Sequence, residues 1–212
     1  MCRSPAISAN SQPAASSATS QDGDACSCSH PPESLGDKVR WKDASIDLAF
    51  PPVPIPSRRV FAATGESMLR ALVKSHHERL LDSSIGHMFP VNKDRFAAVM
   101  EKTADFIIKA TDGSARMGSA HEHSCLRTQH FPFSIDEAAR DIWLAQLLLA
   151  FDDVRFPEEA RLEFWNWVEA LSIRMINRRT MHEQPRRYPL AKATITLFPY
   201  MTTKRRPVMC PR

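Results

Sequence analysis

The residues with the clearest chemical potential lie in the run His123-Ser124-Cys125-Leu126-Arg127-Thr128-Gln129-His130-Phe131-Pro132-Phe133-Ser134-Ile135. Trp143 follows His130 by thirteen residues. A neutral imidazole is a good ligand for iron or zinc, and an indole offers one N–H donor and no acceptor. Taken alone, a histidine ahead of Phe-Pro-Phe reads as a loop residue satisfied by backbone groups, and Trp143 reads as ordinary helical core. A second histidine, His76, sits inside an apolar stripe, where it reads equally as a pocket residue or as a hydrogen-bonded core residue. The alternating His121, His123 and Cys125 offer zinc-type ligands, but no second Cys or His pair completes a tetrahedral set, so a solvated loop is the simpler reading. Cys26-Ser27-Cys28-Ser29-His30 matches no ordinary zinc spacing and reads as part of a solvated tail.

These residues need elements to position them, and the apolar periodicity supplies four helices. Leu69, Leu72, Val73, His76 and Leu80 share one face of a helix starting near Ser67, with His77 and Glu78 pointing away. Ile85-Gly86-His87-Met88-Phe89-Pro90 breaks it, because a proline disfavours helical geometry at the residue before it. A second helix starts after the cap Asn92, carries Phe96, Val99, Met100, Thr103, Ile107 and Ala110 on one face, and ends at Gly113. Residues 112–129 show no clear period and read as a loop with at most a short helix. Ser134 and Glu137 are spaced as a capping box for a third helix that is apolar on nearly every side from Ile142 to Phe151, hence central and buried. Pro157 with Glu158 and Glu159 opens a fourth, whose inward face holds Phe164, Val168, Leu171 and Met175.

Outside these helices the composition changes. Residues 1–60 hold eight of the sixteen prolines and are rich in Ser and Ala, which reads as a disordered tail passing into an extended linker. Residues 177–212 carry nine Lys or Arg against one acidic residue, although the whole chain of 212 residues is only +4. Residues 181–212 are accordingly expected as a basic, poorly ordered tail, with Thr194-Ile195-Thr196-Leu197-Phe198 as a short strand-like stretch. This leaves one folded domain over residues 61–180, long enough to bury a core and a cofactor.

Six glycines, none in a Gly-x-Gly or Gly-Lys-Ser arrangement, argue against a nucleotide-binding α/β fold. No stretch has the ~20 apolar residues of a membrane span. Five scattered cysteines suit reduced thiols and not a disulfide framework. A cytoplasmic protein is expected, with no membrane partner. The basic C-terminal residues lack a recognised nucleic-acid module, so no nucleic-acid partner is expected either.

The run from His123 to Ile135, together with Trp143, resembles the truncated haemoglobins, group II in particular, whose signature His-Pro-x-Leu-Arg-x-Arg-His-x-Pro-Phe-x-Ile has the haem-ligating histidine as its second histidine. The resemblance covers roughly residues 67–180. It implies an all-α, two-over-two helical sandwich with N- and C-terminal extensions, binding haem b through His130. It implies walls from Phe89, Phe106, Ile107, Phe133 and Leu147, a propionate contact from Arg127, and Trp143 over the opposite haem face. His76 falls where the family usually has a tyrosine, and is expected as a second, titratable donor to the ligand. Gln129 replaces the signature's second arginine, Ser124 its proline, and Asp112-Gly113 its Gly-Gly. The implied function is reversible binding of dioxygen or another diatomic gas, with nitric oxide or peroxide chemistry as a secondary activity, a reductase as partner, and a monomer or homodimer as the assembly. No catalytic acid–base pair marks it as an enzyme. The alternative is a haem-free, globin-like helical sensor or protein-interaction module.

Overall fold

In the computed structural model, residues 48–114 and 126–202 are described. Every regular element among them is helical: α1 (Arg58–Asp82), a 3₁₀ turn (Gly86–Met88), α2 (Lys93–Asp112), α3 (Glu137–Asp153), α4 (Glu158–Met175) and α5 (Leu190–Met201). The fold class is all-α, as expected from the sequence. α1 packs on α2 and also lies against α3 and α4, while α5 covers α3.

Local chemistry sets the helix ends. Ser57, Asn92 and Asp136 each accept a hydrogen bond from a backbone N–H in the first turn of α1, α2 and α3. Gly113 closes α2 in the left-handed conformation, at φ 73°, where a side chain is strained. α1 begins earlier than the apolar period indicates. It is two helical segments joined at Gly65, whose φ of 67° and ψ of 170° only glycine adopts readily. The expected start at Ser67 therefore marks the resumption after the break.

The capping box expected at Ser134 is replaced by Asp136, whose carboxylate takes the Ala139 N–H at 2.8 Å. Glu137 is free for another task. Its buried carboxylate receives the Thr180 N–H at 3.0 Å and hydroxyl at 2.6 Å, and Arg179 Nε at 3.1 Å. Burial works against the charge, but these donors hold the carboxyl below its usual range.

Both flanks need correction. Residues 48–57, expected within a disordered linker, partly pack: Leu48 is buried with Ile173 and Ile176, Phe50 lies beside them, and Val53 meets the main core. The stretch 194–198 is not a strand. Leu190–Met201 is helical and docks on α3 through Ala193 and Leu197, both fully buried. Thr194, Ile195 and Phe198 have strand-like local preference, but an i, i+4 pair that fits the uncovered side of α3 outweighs it. The expectation of a poorly ordered segment from residue 181 onward therefore fails for 181–202.

The main core gathers Leu144, Leu147, Leu148 and Phe151 of α3 with Phe164, Trp165, Trp167 and Val168 of α4, Leu69 and Leu72 of α1, and Leu197 of α5. Within it lies a buried ionic hub. Arg140 donates to Glu169 at 2.7 Å, to Ser172 Oγ at 2.8 Å and to the Arg186 carbonyl at 2.8 Å, and its guanidinium lies 5.2 Å from the Tyr188 ring centre. Glu169 in turn accepts from Arg187 Nε at 2.8 Å and Tyr188 N at 3.1 Å. The hub ties α3 and α4 to the segment leading into α5. Removing one partner leaves a buried charge only partly compensated, at a cost of about 3–5 kcal/mol. Arg140→Met should lower the urea midpoint accordingly and loosen α5, seen as faster amide hydrogen exchange over residues 186–201 than over α2.

Candidate functional site

His130 ends a short helical turn over residues 126–129. Its Nδ1 lies 2.7 Å from the Leu126 carbonyl, which can only accept, so Nδ1 carries the proton and Nε2 keeps its lone pair. Among the described residues Nε2 has no partner. This is the tautomer and orientation a metal-ligating histidine needs.

The following loop is held by Asn177, just past the end of α4. Its Nδ2 donates to the carbonyls of His130 (3.0 Å) and Phe133 (2.8 Å), and its Oδ1 accepts from Ile135 N at 2.9 Å. The Ile135 carbonyl accepts the N–H groups of both Asn177 and Arg178. One asparagine thus fixes the loop on both sides of Pro132. Sequence analysis did not single it out, because its forty-odd residues of separation from the loop carry no local signal.

Arg127 has a structural task. It donates to the carbonyls of Arg174 and Ile176 at the end of α4, the latter at 2.8 Å. Its guanidinium lies 5.2 Å from the Phe50 ring centre and 5.7 Å from that of Phe131. Nη1 makes both bonds and fastens the turn to carbonyls that the helix end leaves free.

On the α1 side, His76 is buried and packs edge-on to Trp143 at 4.6 Å between ring centres, with Nε2 donating to the Trp143 carbonyl at 3.0 Å. Its only N–H is therefore used, and Nδ1 is an acceptor. Burial, with the neighbouring His77 adding to it, pushes the His76 pKa down to about 3. The histidine expected as a titratable donor is thus a neutral, buried residue whose proton is on the Trp143 carbonyl. His77, expected to point outward, is buried as well. It donates from Nδ1 to the Val73 carbonyl at 2.8 Å and sits 5.9 Å from Phe89 and 6.3 Å from Phe96. α1 touches helices on several sides, so its buried arc is wide enough to take adjacent residues. Burial lowers the His77 pKa too.

Trp143 is half-buried and borders both the main core and a smaller cluster of Leu80, Ile85, Ala139 and Ile142, against which Phe89 and Ile135 also pack. Its indole N–H has no acceptor among the described residues. The expected walls are distributed unevenly. Phe89 joins the His77 group. Phe106 is stacked on Trp167 at 5.9 Å within the main core, Leu147 is buried there, and Ile107 packs at its edge. Phe133 stays 40% exposed beside His130. Among the described residues no three His, Cys, Asp or Glu side chains converge as a cage for a bare metal ion. His121, His123 and Cys125, and the Cys26–His30 segment, lie outside the described residues.

Every described element is helical, and His130 stands on the short turn between α2 and α3 with Nδ1 on its backbone anchor. The chain matches the family model for bacterial-like globins over residues 60–177 and belongs to that family. It is similar to the solved structure titled "Crystal structure of phosphate-bound Hell's gate globin IV", at 40% identity, covering 72% of this chain and 95% of that one, with a TM-score of 0.63. No curated protein matches.

The neutral, buried His76 links folding to pH. Unfolded, it takes up a proton near pH 6.5; folded, it resists until about pH 3. The unfolded state therefore binds more protons within this window, so the stabilisation is complete above pH 6.5 and is lost as pH falls towards 3. Between pH 6 and 5 the wild type should lose about 1 kcal/mol more unfolding free energy than His76→Leu, as a full proton is worth about 1.4 kcal/mol per pH unit. Equal slopes in urea titrations of the two proteins would reject the neutral assignment.

Proposed function

We propose that this globin binds haem b through Nε2 of His130 and reversibly binds a diatomic gas, chiefly dioxygen, on the face served by Trp143. The observation that carries the reading is the hydrogen bond from His130 Nδ1–H to the Leu126 carbonyl, which puts the neutral ring's proton on Nδ1 and leaves Nε2 without a partner among the described residues. The donor set fits the group: haem iron takes one neutral imidazole from the protein, and its other in-plane ligands come with the macrocycle. Phe131 and Phe133 are 37% and 40% exposed beside His130, apolar surface that a porphyrin face would remove from water at ~25 cal/mol per Å².

When bound, haem iron supplies an open coordination position for a diatomic ligand. The protein residues do the rest. Asn177 and Arg127 anchor the His130 loop to the end of α4, so the imidazole angle is set by backbone already fixed in the core. Trp143 presents the one uncommitted N–H of the His76–His77–Trp143 group, since each histidine has its proton on a backbone carbonyl. A donor without a lone pair favours a ligand that carries partial negative charge. His76 acts through packing, holding the Trp143 backbone and the edge of its ring. Redox activity towards nitric oxide or peroxide with a reductase partner, and a place in the cytoplasm, belong to the same proposal.

The purified chain, mixed with haemin, should give a histidine-ligated Soret band and a ferrous carbonyl complex. His130→Ala should lose the axial histidine signature and regain it when imidazole is added to the buffer. An unchanged spectrum in that variant would overturn the assignment.

A neutral hydrogen bond is worth about 0.5–1.5 kcal/mol, and 1.4 kcal/mol is tenfold in an equilibrium constant. Trp143→Phe should therefore raise the dioxygen off-rate about three- to tenfold in stopped-flow measurements and change carbon monoxide release less. Wild-type dioxygen release should show no His76 titration from pH 5 to 8, because His76 stays neutral until about pH 3. Release that followed a pKa near 6.5 would show that His76 reaches the ligand after all.

A further inference from the structure

The segment before α1 brings an aromatic ring to the side of the molecule that holds the His130 turn. Residues 48–57 have no regular structure, yet they are fastened at several points. Leu48 is buried with Ile173 and Ile176, and the Ala49 N–H donates to Gln184 Oε1 at 2.9 Å. The Pro51 carbonyl accepts from Arg174 Nη2 at 3.3 Å, and Val53 packs on the main core. None of these contacts uses the Phe50 ring, so the path of the chain on either side of it is set independently.

The ring lies against two cations. The guanidinium carbons of Arg127 and Arg174 are each 5.2 Å from its centre. Among the described residues neither guanidinium has a carboxylate partner, and the buried Nε of Arg174 has no hydrogen-bond acceptor. Burial lowers the Arg127 pKa, and the charge of Arg174 lowers it further. Two like charges in a partly desolvated corner are stabilised by an electron-rich surface, and an aromatic face supplies one without an ionised group. Phe50 is the ring that both share.

What Arg127 holds gives this contact its consequence. Its Nη1 donates to the carbonyls of Arg174 and Ile176, and its own carbonyl accepts the His130 N–H at 3.0 Å. The neighbouring Leu126 carbonyl takes His130 Nδ1–H at 2.7 Å. The backbone and the ring of His130 are therefore fixed by carbonyls of two consecutive residues, on the turn that Arg127 fastens. Asn177 holds the other side, through the carbonyls of His130 and Phe133. Without the Phe50 face, the Arg127 charge gains by turning to water, and the near side of the turn loses its fastening.

We propose that Phe50 is a positioning residue for His130: its ring holds the Arg127 guanidinium on the end of α4, and through Arg127 it holds the turn that orients the imidazole. The effect on a bound haem rests on the haem reading of His130, whereas the effect on the turn does not.

Two variants of the full chain separate the aromatic face from apolar bulk. Phe50→Leu keeps a large apolar side chain beside Leu48 and loses the face, and Phe50→Tyr keeps both. Amide hydrogen exchange is measured with and without haem at His130, Phe131 and Phe133, whose N–H groups bond within this loop. It should quicken about three- to thirtyfold in Phe50→Leu, the range that a cation–π contact spans. Phe50→Tyr should restore wild-type exchange, and the amides of α2 should not change in either variant. Arg127→Ala should give the same quickening, and adding Phe50→Leu to it should add nothing, as expected if one residue acts through the other. With haem bound, the ferrous iron–histidine stretching band in resonance Raman spectra should shift in Phe50→Leu and return in Phe50→Tyr. Wild-type exchange in Phe50→Leu would overturn the proposal. So would additive effects of the two substitutions, or quickening that extends equally to α2. The exchange effect in a chain that takes up no haem would keep the positioning of His130 and sink the haem reading. A histidine-ligated spectrum whose stretching band is unmoved in Phe50→Leu would keep the haem reading and sink the positioning.

Discussion

The buried Arg140–Glu169 pair is the interaction on which the arrangement of the molecule most depends. α3 is apolar on nearly every side, so it must be covered by α1, α4 and α5 together, and a helix of that kind cannot by itself specify which partner lies where. The ionic hub does specify it. Arg140 spends donors on Glu169, Ser172 and the Arg186 carbonyl, and Glu169 reaches on to Arg187 and the Tyr188 N–H. A mispacked alternative would leave at least one of these charges buried and unpaired, a penalty of several kcal/mol. The pair sets the register between α3 and α4 and closes the segment that delivers α5.

The same economy governs the site. His76, His77 and His130 each give a ring proton to a backbone carbonyl, and His130 does so on the short turn ahead of Pro132. The two α1 histidines are buried beside aromatic rings and remain neutral, which makes them compact polar core residues as well as neighbours of Trp143. A charge on His76 would have to be desolvated next to His77 and within reach of Arg79, all of which oppose it. On the α1 side the polarity therefore comes from fixed tautomers and not from ionised groups.

The end of α4 joins these regions. Arg127 takes the carbonyls that the helix leaves open, Asn177 clasps the His130 loop, and Arg179 with Thr180 holds the start of α3 through Glu137. Phe50, from the segment before α1, lies 5.2 Å from the guanidinium carbons of both Arg127 and Arg174. The seven residues 174–180, two at the end of the helix and five past it, thus position the candidate metal ligand, the N-terminus of α3 and a part of the chain more than a hundred residues away.

Much of this was legible in the sequence. The helical period, Asn92 and Gly113 as the ends of α2, Pro157 at the start of α4, the encircling apolarity of α3 and the run around His130 are local signals, since backbone propensity and side-chain spacing along one element determine them. The sequence by itself determined the all-α class, the family resemblance and the identity of the histidine to examine. Tertiary structure alone decided the rest. Thr194–Phe198 is helical because the side of α3 it covers rewards an i, i+4 pair, which no local preference contains. His77 is inside because α1 is packed on several faces. His76 loses its donor and its titration because a carbonyl 67 residues away and the surrounding burial claim them. Arg127 is a fastener because the carbonyls it meets belong to a helix that ends 48 residues later, at Met175. In each case the energy that decides lies in a contact between distant parts of the chain, and spacing along the sequence does not encode which distant group will arrive.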